Sequence, residues 1–215
     1  MTNKQTLFLT DMDGTLTKGS VVLDHAGFLI EKGLIKDDGS FQAWKQDVKN
    51  EKLVVAVAEN YRHELTGKTV EELQVKEFVT EYLEKDVWYT TLLNLITAKE
   101  QGHRVVIISG SSDFLVQEVA SQLGFEGVGS HYITDNEERL TGDVIGMFGL
   151  EAKDKWITEN IDKSEYTHLV GLGDTSSDYG IFKHCSYNVL VEPTSETMEF
   201  MLTKGALVNE IHHEG

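Results

Sequence analysis

Apolar residues dominate the stretch from Gln5 to Leu9, and the run stops at two aspartates one residue apart, Asp11 and Asp13, followed by Gly14. Such a run with polar punctuation predicts a short buried strand. On an extended backbone the two aspartates would project to the same side. Beyond Thr15 the period changes, and through residue 86 apolar positions recur at helical spacing with no convincing strand. The pattern predicts a helix from Ser20 to Lys32, with Val22, His25, Ala26, Leu29 and Ile30 on one face and Gly33 as its stop. After a turn at Asp37-Asp38-Gly39-Ser40, Phe41, Trp44 and Val48 form a second helical stripe, and Leu53 to Leu65 continues helically until Gly67. Thr69 with Glu72 reads as a capping box opening a helix to Leu83.

The second half alternates strands and helices. An amphipathic helix from Trp88 to Gln101, closed by Gly102, leads into Val105-Val106-Ile107-Ile108, a continuous β-branched run of the kind buried on both faces of a parallel sheet. It ends at Ser109-Gly110-Ser111. A helix over Asp113 to Leu123, a short strand near Val128, a hairpin around Asp135-Asn136-Glu137-Glu138 and a helix over Glu151 to Ile161 follow. Thr167 to Leu172 reads as a third strand, again closed by a polar pair, Gly173-Asp174. A short helix from Ser176 to Lys183, a strand over Tyr187 to Val191, a turn at Pro193, a helix over Ser195 to Leu202 and an edge strand at Ala206-Leu207-Val208 complete the pattern, with His212-His213-Glu214-Gly215 as a frayed tail. The fold class expected is α/β, a doubly wound Rossmann-like parallel sheet with a small all-helical cap inserted after the first strand. Residues 1–16 and 87–215 would form the core and 17–86 the cap.

Composition narrows the function. A chain of 215 residues can bury roughly 70% of its unfolded surface, enough for one large domain or a core with a satellite. With Lys+Arg 19 against Asp+Glu 36 the net charge is -17, which disfavours nucleic acid and anionic membrane surfaces as partners. Any phosphate-bearing ligand must therefore be met by local cations and amides. Cys185 is the single cysteine, and it reads as a small buried residue in a reducing compartment. The polar stretch before the first strand and the absence of an apolar window of about 18 residues predict a cytoplasmic protein with no secretory leader or membrane span.

In an open parallel sheet, ligands bind outside the carboxyl ends of the strands, near the point where strand order reverses. Three predicted strands end in polar residues there, bringing together Asp11 and Asp13, Ser109-Gly110, and Gly173-Asp174. Two carboxylates held close repel unless one is protonated or a cation lies between them. Carboxylates with one Mg²⁺ and substrate oxygens form the hard oxygen site that suits phosphate chemistry, and a hydroxyl with helix N-terminal amides suits phosphate oxygens. An EF-hand reading fails because Gly14 directly follows the second aspartate. Each motif has a plainer reading: Ser109 as a helix cap, Gly173-Asp174 with Asp178 as a turn and N-cap, Phe41 and Trp44 as cap core, and His212-His213 as solvated tail residues.

Four motifs in order resemble the haloacid dehalogenase superfamily of aspartyl phosphotransferases: Asp11-Met12-Asp13-Gly14-Thr15, the strand ending in Ser109, Lys153, and Gly173-Asp174-Thr175-Ser176-Ser177-Asp178. Leu140-Thr141-Gly142-Asp143-Val144, followed by Lys153 and Trp156-Ile157, is similar to the phosphoserine phosphatase branch. The resemblance implies that Asp11 is the nucleophile and Asp13 the acid-base, an aspartate that dehalogenases lack. It implies Mg²⁺ held by Asp11, the Asp13 carbonyl and Asp174, with phosphate oxygens held by Ser109, the Gly110 amide and Lys153, and Asp178 supporting from behind. Lys155 is the alternative to Lys153, which precedes Ile157 by one helical turn. Ser20 stands where the branch carries a glutamate for the substrate amine, and Arg62 is a loosely placed counterpart of its cap arginine. The activity expected is Mg²⁺-dependent hydrolysis of a small phosphorylated metabolite, phosphoserine being one candidate. Transfer to a second alcohol, as in a phosphotransferase or mutase, and non-catalytic phosphoryl binding are the alternatives.

Overall fold

Side-chain alternation along the strands builds two apolar layers. A computed structural model describes residues 5–48, 50–147 and 149–213. In β1 (Gln5–Thr10), Leu7 and Leu9 enter a cluster with Ile157, Phe182 and Met201, while Phe8 packs against a cluster on the opposite face. In β2 (Arg104–Ser112), Val106 and Ile108 join the first cluster, Val105 and Ile107 the second, and all four are buried.

Alongside these run β3 (Glu126–Thr134), β4 (Leu140–Ile145), β5 (Tyr166–Gly173), β6 (Tyr187–Val191) and β7 (Asn209–Ile211). The strand order is β4-β3-β2-β1-β5-β6-β7, parallel throughout except for the antiparallel β3–β4 hairpin. Chain order reverses at β1, which pairs with β2 on one side and β5 on the other. A crevice at the carboxyl end of β1 follows from that topology.

Between β1 and β2 lie α1 (Val21–Glu31), α2 (Ser40–Gln46), α3 (Glu51–Leu65) and α4 (Val75–Leu83), with α5 (Tyr89–Glu100) leading back to the sheet. The chain enters and leaves this helical segment side by side: Thr17 bridges Val87, and the Lys18 amide donates to the Asp86 carbonyl at 2.9 Å. Leu29, Tyr61 and Phe78 from these helices share one apolar cluster with Ile107 and with Val119 of α6 (Asp113–Leu123). At its centre His25, fully buried, lies 2.7 Å from the Tyr61 hydroxyl and 2.9 Å from the Leu73 carbonyl. A carbonyl only accepts, so Nε2 carries the proton and Nδ1 accepts from Tyr61. The remaining helices are α7 (Gly149–Asn160), α8 (Tyr179–Phe182) and α9 (Ser195–Thr203). Among the described residues no helix is long and apolar enough to cross a membrane.

Several expected elements differ. The capping box at Thr69 and Glu72 forms, with the Thr69 amide donating to Glu72 at 2.7 Å, but it opens only one 3-10 turn. Gln74 then adopts φ 50 and breaks the run before α4, because Leu73 is drawn into the core and its carbonyl is taken by His25. α2 ends at Gln46, leaving Val48 58% exposed and outside the helix. The helix expected over Ser176 to Lys183 divides into a 3-10 turn at Ser176–Asp178 and the short α8.

The last strand is Asn209–Ile211, not Ala206–Val208. The amides of Gly205 and Ala206 are still closing the end of α9, so pairing with β6 begins later, at Asn209. The tail is not frayed at His213, whose ring stacks on Trp88 at 4.6 Å between centroids. Glu214 and Gly215 lie outside the described residues.

Candidate active site

The turn after β1 is wound around one carbonyl. Met12 O accepts from the amides of Thr15, Leu16 and Thr17 at 2.9–3.2 Å, and from the Thr17 hydroxyl at 3.1 Å. Gly14 sits in this turn at φ 85 with its Cα against the Asp174 carboxylate, so a side chain there would be strained and would overlap it. The Trp88 indole N–H donates to the Gly14 carbonyl at 3.1 Å, tying the turn to the start of α5. The strand ends at Thr10, and the two aspartates belong to the turn. Their carboxylates have separate partners.

Asp11, at the reversal point, is 6% exposed, and its Oδ1 accepts from Lys153 Nζ at 2.6 Å. Lys153, in α7 and 3% exposed, also donates to Asp178 Oδ1 at 2.6 Å. The other oxygen of Asp178 accepts from the amides of Asp174 and Thr175 at 3.0 and 2.9 Å, so this fully buried carboxylate fixes both the lysine and the turn after β5. Asp174 receives the Thr15 hydroxyl at 3.1 Å. Burial pushes the Asp11 carboxyl well above its usual range; Lys153 opposes this, and the neighbouring aspartates reinforce it. Asp174 rises to about 7, through burial and the charge of Asp178. Lys153 is held charged by its two carboxylates against the cost of burial.

Asp13 points into a different set of donors. Its Oδ1 accepts from the Val21 amide at the start of α1 at 2.6 Å, and its Oδ2 from the hydroxyls of Ser109 and Ser111, both at 2.8 Å. Burial raises its pKa, opposed by these three bonds. Two carboxyls two residues apart therefore have different duties open to them: one is ion-paired, the other is held by neutral donors and able to exchange a proton.

The structure thus brings Asp11, Asp13, Ser109, Lys153, Asp174 and Asp178 together from four parts of the chain. Lys155 is elsewhere, its side chain 74% exposed and 3.9 Å from Glu159. The Gly110 carbonyl accepts from Ser130 at 2.7 Å. Ser20 is the N-cap of α1 but its side chain makes no capping bond, and Arg62 is exposed in the last turn of α3. Among the described residues no hydrogen bond or ion pair joins either to the aspartates. Ser111, Thr15 and Trp88 were not anticipated. Ser111 lies two residues from Ser109 on a strand that continues to Ser112, so period-2 reading would have found it. Trp88 has no such signal, being 74 residues from Gly14.

Carboxylate oxygens of Asp11, Asp174 and Asp178 all lie within 4.8 Å of one another. One ammonium, Lys153, stands against these three acids and Asp13, and the excess negative charge of an all-oxygen donor set fits a hard divalent cation. Asp178 is already committed to Lys153 and two amides, which leaves Asp11 and Asp174 as the side chains free to hold one.

The chain matches the haloacid dehalogenase-like hydrolase family over residues 8–183. A phosphoserine phosphatase of Methanocaldococcus jannaschii is 30% identical over 94 residues, which is 42% of this chain and 44% of that enzyme. A protein with unknown function from Bordetella pertussis Tohama I superposes with TM-score 0.77 at 16% identity, over 96% of this chain and 98% of its own. A phosphoserine phosphatase solved as an analogue of its phospho-aspartyl intermediate superposes with TM-score 0.58 at 20% identity, covering 97% and 94% of the two chains. At those identities the two structures speak for the fold.

Proposed function

The chain belongs to the haloacid dehalogenase-like hydrolases, and from that premise we propose that it is a Mg²⁺-dependent phosphomonoesterase working through an aspartyl-phosphate. The observation that carries this reading is the division between Asp11, paired with Lys153 at 2.6 Å, and Asp13, held by two hydroxyls and an amide. In the first half-reaction an Asp11 oxygen attacks phosphorus, the ester P–O bond breaks, and Asp13 gives its proton to the departing alkoxide. In the second, Asp13 takes a proton from a water that attacks phosphorus, which frees Asp11 and releases inorganic phosphate. A bound Mg²⁺, held by Asp11, Asp174 and the Asp13 main-chain carbonyl, would lower the repulsion between carboxylate and phosphate. Lys153 orients Asp11 and supplies a positive charge for the transferring oxygens, together with Ser109 and the Gly110 amide.

We assign residues 17–86 the role of a cap over a core of 1–16 and 87–215, a division supported by the paired entry and exit at Thr17 and Val87. Ser20 and Arg62 are its candidate substrate contacts, and the substrate is a small phosphorylated metabolite, with phosphoserine as the first to try. A reducing cytoplasm suits the unpaired thiol of Cys185.

The test is phosphate release from a panel of small esters with and without Mg²⁺, run beside Asp11→Asn. The expected result is Mg²⁺-dependent turnover in the wild type and none in the variant. Equal activity in Asp11→Asn would sink the mechanism.

A further inference from the structure

Three helices of the segment between β1 and β2 each turn one face toward a common cavity of about 410 Å³. On α1 the positions are Asp24, Gly27, Phe28 and Glu31, and α4 contributes Phe78, Glu81 and Tyr82 at the same spacing. α2 adds Phe41 and Trp44. Gly27 sets the closeness of this wall, since a Cβ there would stand 2.5 Å from Phe41 Cζ. The walls are therefore aromatic.

The charge around those rings has one predominant sign. Asp24, Glu31, Glu81 and Asp86 line the cavity against Lys45 and Lys85. Both lysines are engaged: Lys45 lies over the Phe41 ring at 5.4 Å, and Lys85 is 3.9 Å from Glu81. Lys32 lies over Phe28 at 5.1 Å, so two of these rings already carry a cation of the chain itself. Ring faces and carboxylates together attract an organic ammonium and repel a second carboxylate.

The helix that forms one wall of the cavity begins at the acid-base group. The Val21 amide holds Asp13 at 2.6 Å, and Asp24 follows three residues later on the same helix. That is a rise of about 4.5 Å along the axis. The charge of Asp13 is felt at both Asp24 and Tyr82, whose hydroxyl donates to Asp24 at 3.0 Å.

We propose that this cavity takes the cationic end of an aminoalkyl phosphate monoester whose phosphate lies at Asp11. The assignment rests on the phosphomonoesterase reading above and adds the substrate class. Asp24 is its anionic anchor, and Phe28, Trp44 and Tyr82 are its aromatic walls. A substrate with a carboxylate beside its ammonium, such as phosphoserine, meets repulsion here.

The experiment compares kcat/KM for phosphoethanolamine and phosphocholine with that for propyl phosphate, an uncharged analogue, and for phosphoserine. Cationic esters are expected to be favoured over both by about tenfold or more. Asp24→Asn keeps an acceptor for Tyr82, and in it the ratio of cationic to uncharged ester falls about tenfold. Hydrolysis without this preference, or a ratio that Asp24→Asn leaves unmoved, overturns the assignment while the phosphatase reading stands. No hydrolysis of any ester counts against that reading instead. The cavity is then tested by titrating tetramethylammonium against tryptophan fluorescence in wild type and Trp44→Phe. A saturable change present only in the wild type supports an organic-cation site, and its absence overturns it.

Discussion

Asp13 is a half-buried carboxyl whose proton is governed by three donors, two of them hydroxyls that can be removed one at a time. The Ser111 hydroxyl, 2.8 Å from Oδ2, favours the ionised form, as do Ser109 and the Val21 amide. Ser111→Ala takes away one such bond and leaves the other two, so the Asp13 pKa rises by about one unit. As the general acid of the proposed first step, Asp13 must be protonated, and kcat/KM falls above its pKa. The alkaline limb of the pH profile should therefore move upward by about that unit in Ser111→Ala, with turnover reduced several-fold. A limb that stays in place would show that another group sets it.

At the scale of elements, His25 joins α1 to Tyr61 of α3 and to the turn at Leu73. Burial lowers its pKa to about 4, against an ordinary value near 6.5. Between those values the unfolded chain binds a proton that the folded chain refuses. His25 thus costs no stability above about pH 6.5, and its cost grows as pH falls toward about 4. Asp24, raised to about 6 by burial, acts oppositely, since the folded chain takes up its proton first. Comparing wild type with His25→Gln in urea separates the two. The stability advantage of the wild type should shrink by about 2 kcal/mol between about pH 7.5 and about pH 5.

The helical period placed His25 on the inner face of α1 together with Ala26 and Leu29, so the packing of this element was legible. Its partners were not, because Tyr61 and Leu73 lie 36 and 48 residues away. The strands divide in the same way. β1 and β2 announce themselves through continuous apolar runs buried on both faces, and their polar ends located Asp11, Asp13 and Ser109. β7, Asn209-Glu210-Ile211, is an edge strand made by backbone pairing with β6, which leaves no apolar signature. Ala206 and Val208 are apolar because they pack against the cluster of Leu7, Leu9 and Met201, which is a different requirement from joining the sheet.

For the whole molecule, the net charge of -17 is borne partly inside, where Asp11, Asp13, Asp174 and Asp178 gather around one lysine. Folding without a cation therefore works against the repulsion of its own site, and Asp174, raised to about 7, bears much of the burden. A ligand that binds the folded chain alone stabilises it by about 2.7 kcal/mol at 100 times its Kd. For a chain of this size that is roughly 5–10 °C in Tm. Mg²⁺ should produce such a rise over EDTA-treated protein in thermal unfolding near neutral pH. Asp174→Asn keeps an oxygen for the Thr15 hydroxyl while removing a charge that the folded state penalises. The metal-free variant should then melt above the metal-free wild type, yet gain little from Mg²⁺. If the variant is stabilised by Mg²⁺ as strongly as the wild type, the cation sits elsewhere, and the carboxylate cluster needs another explanation for its charge.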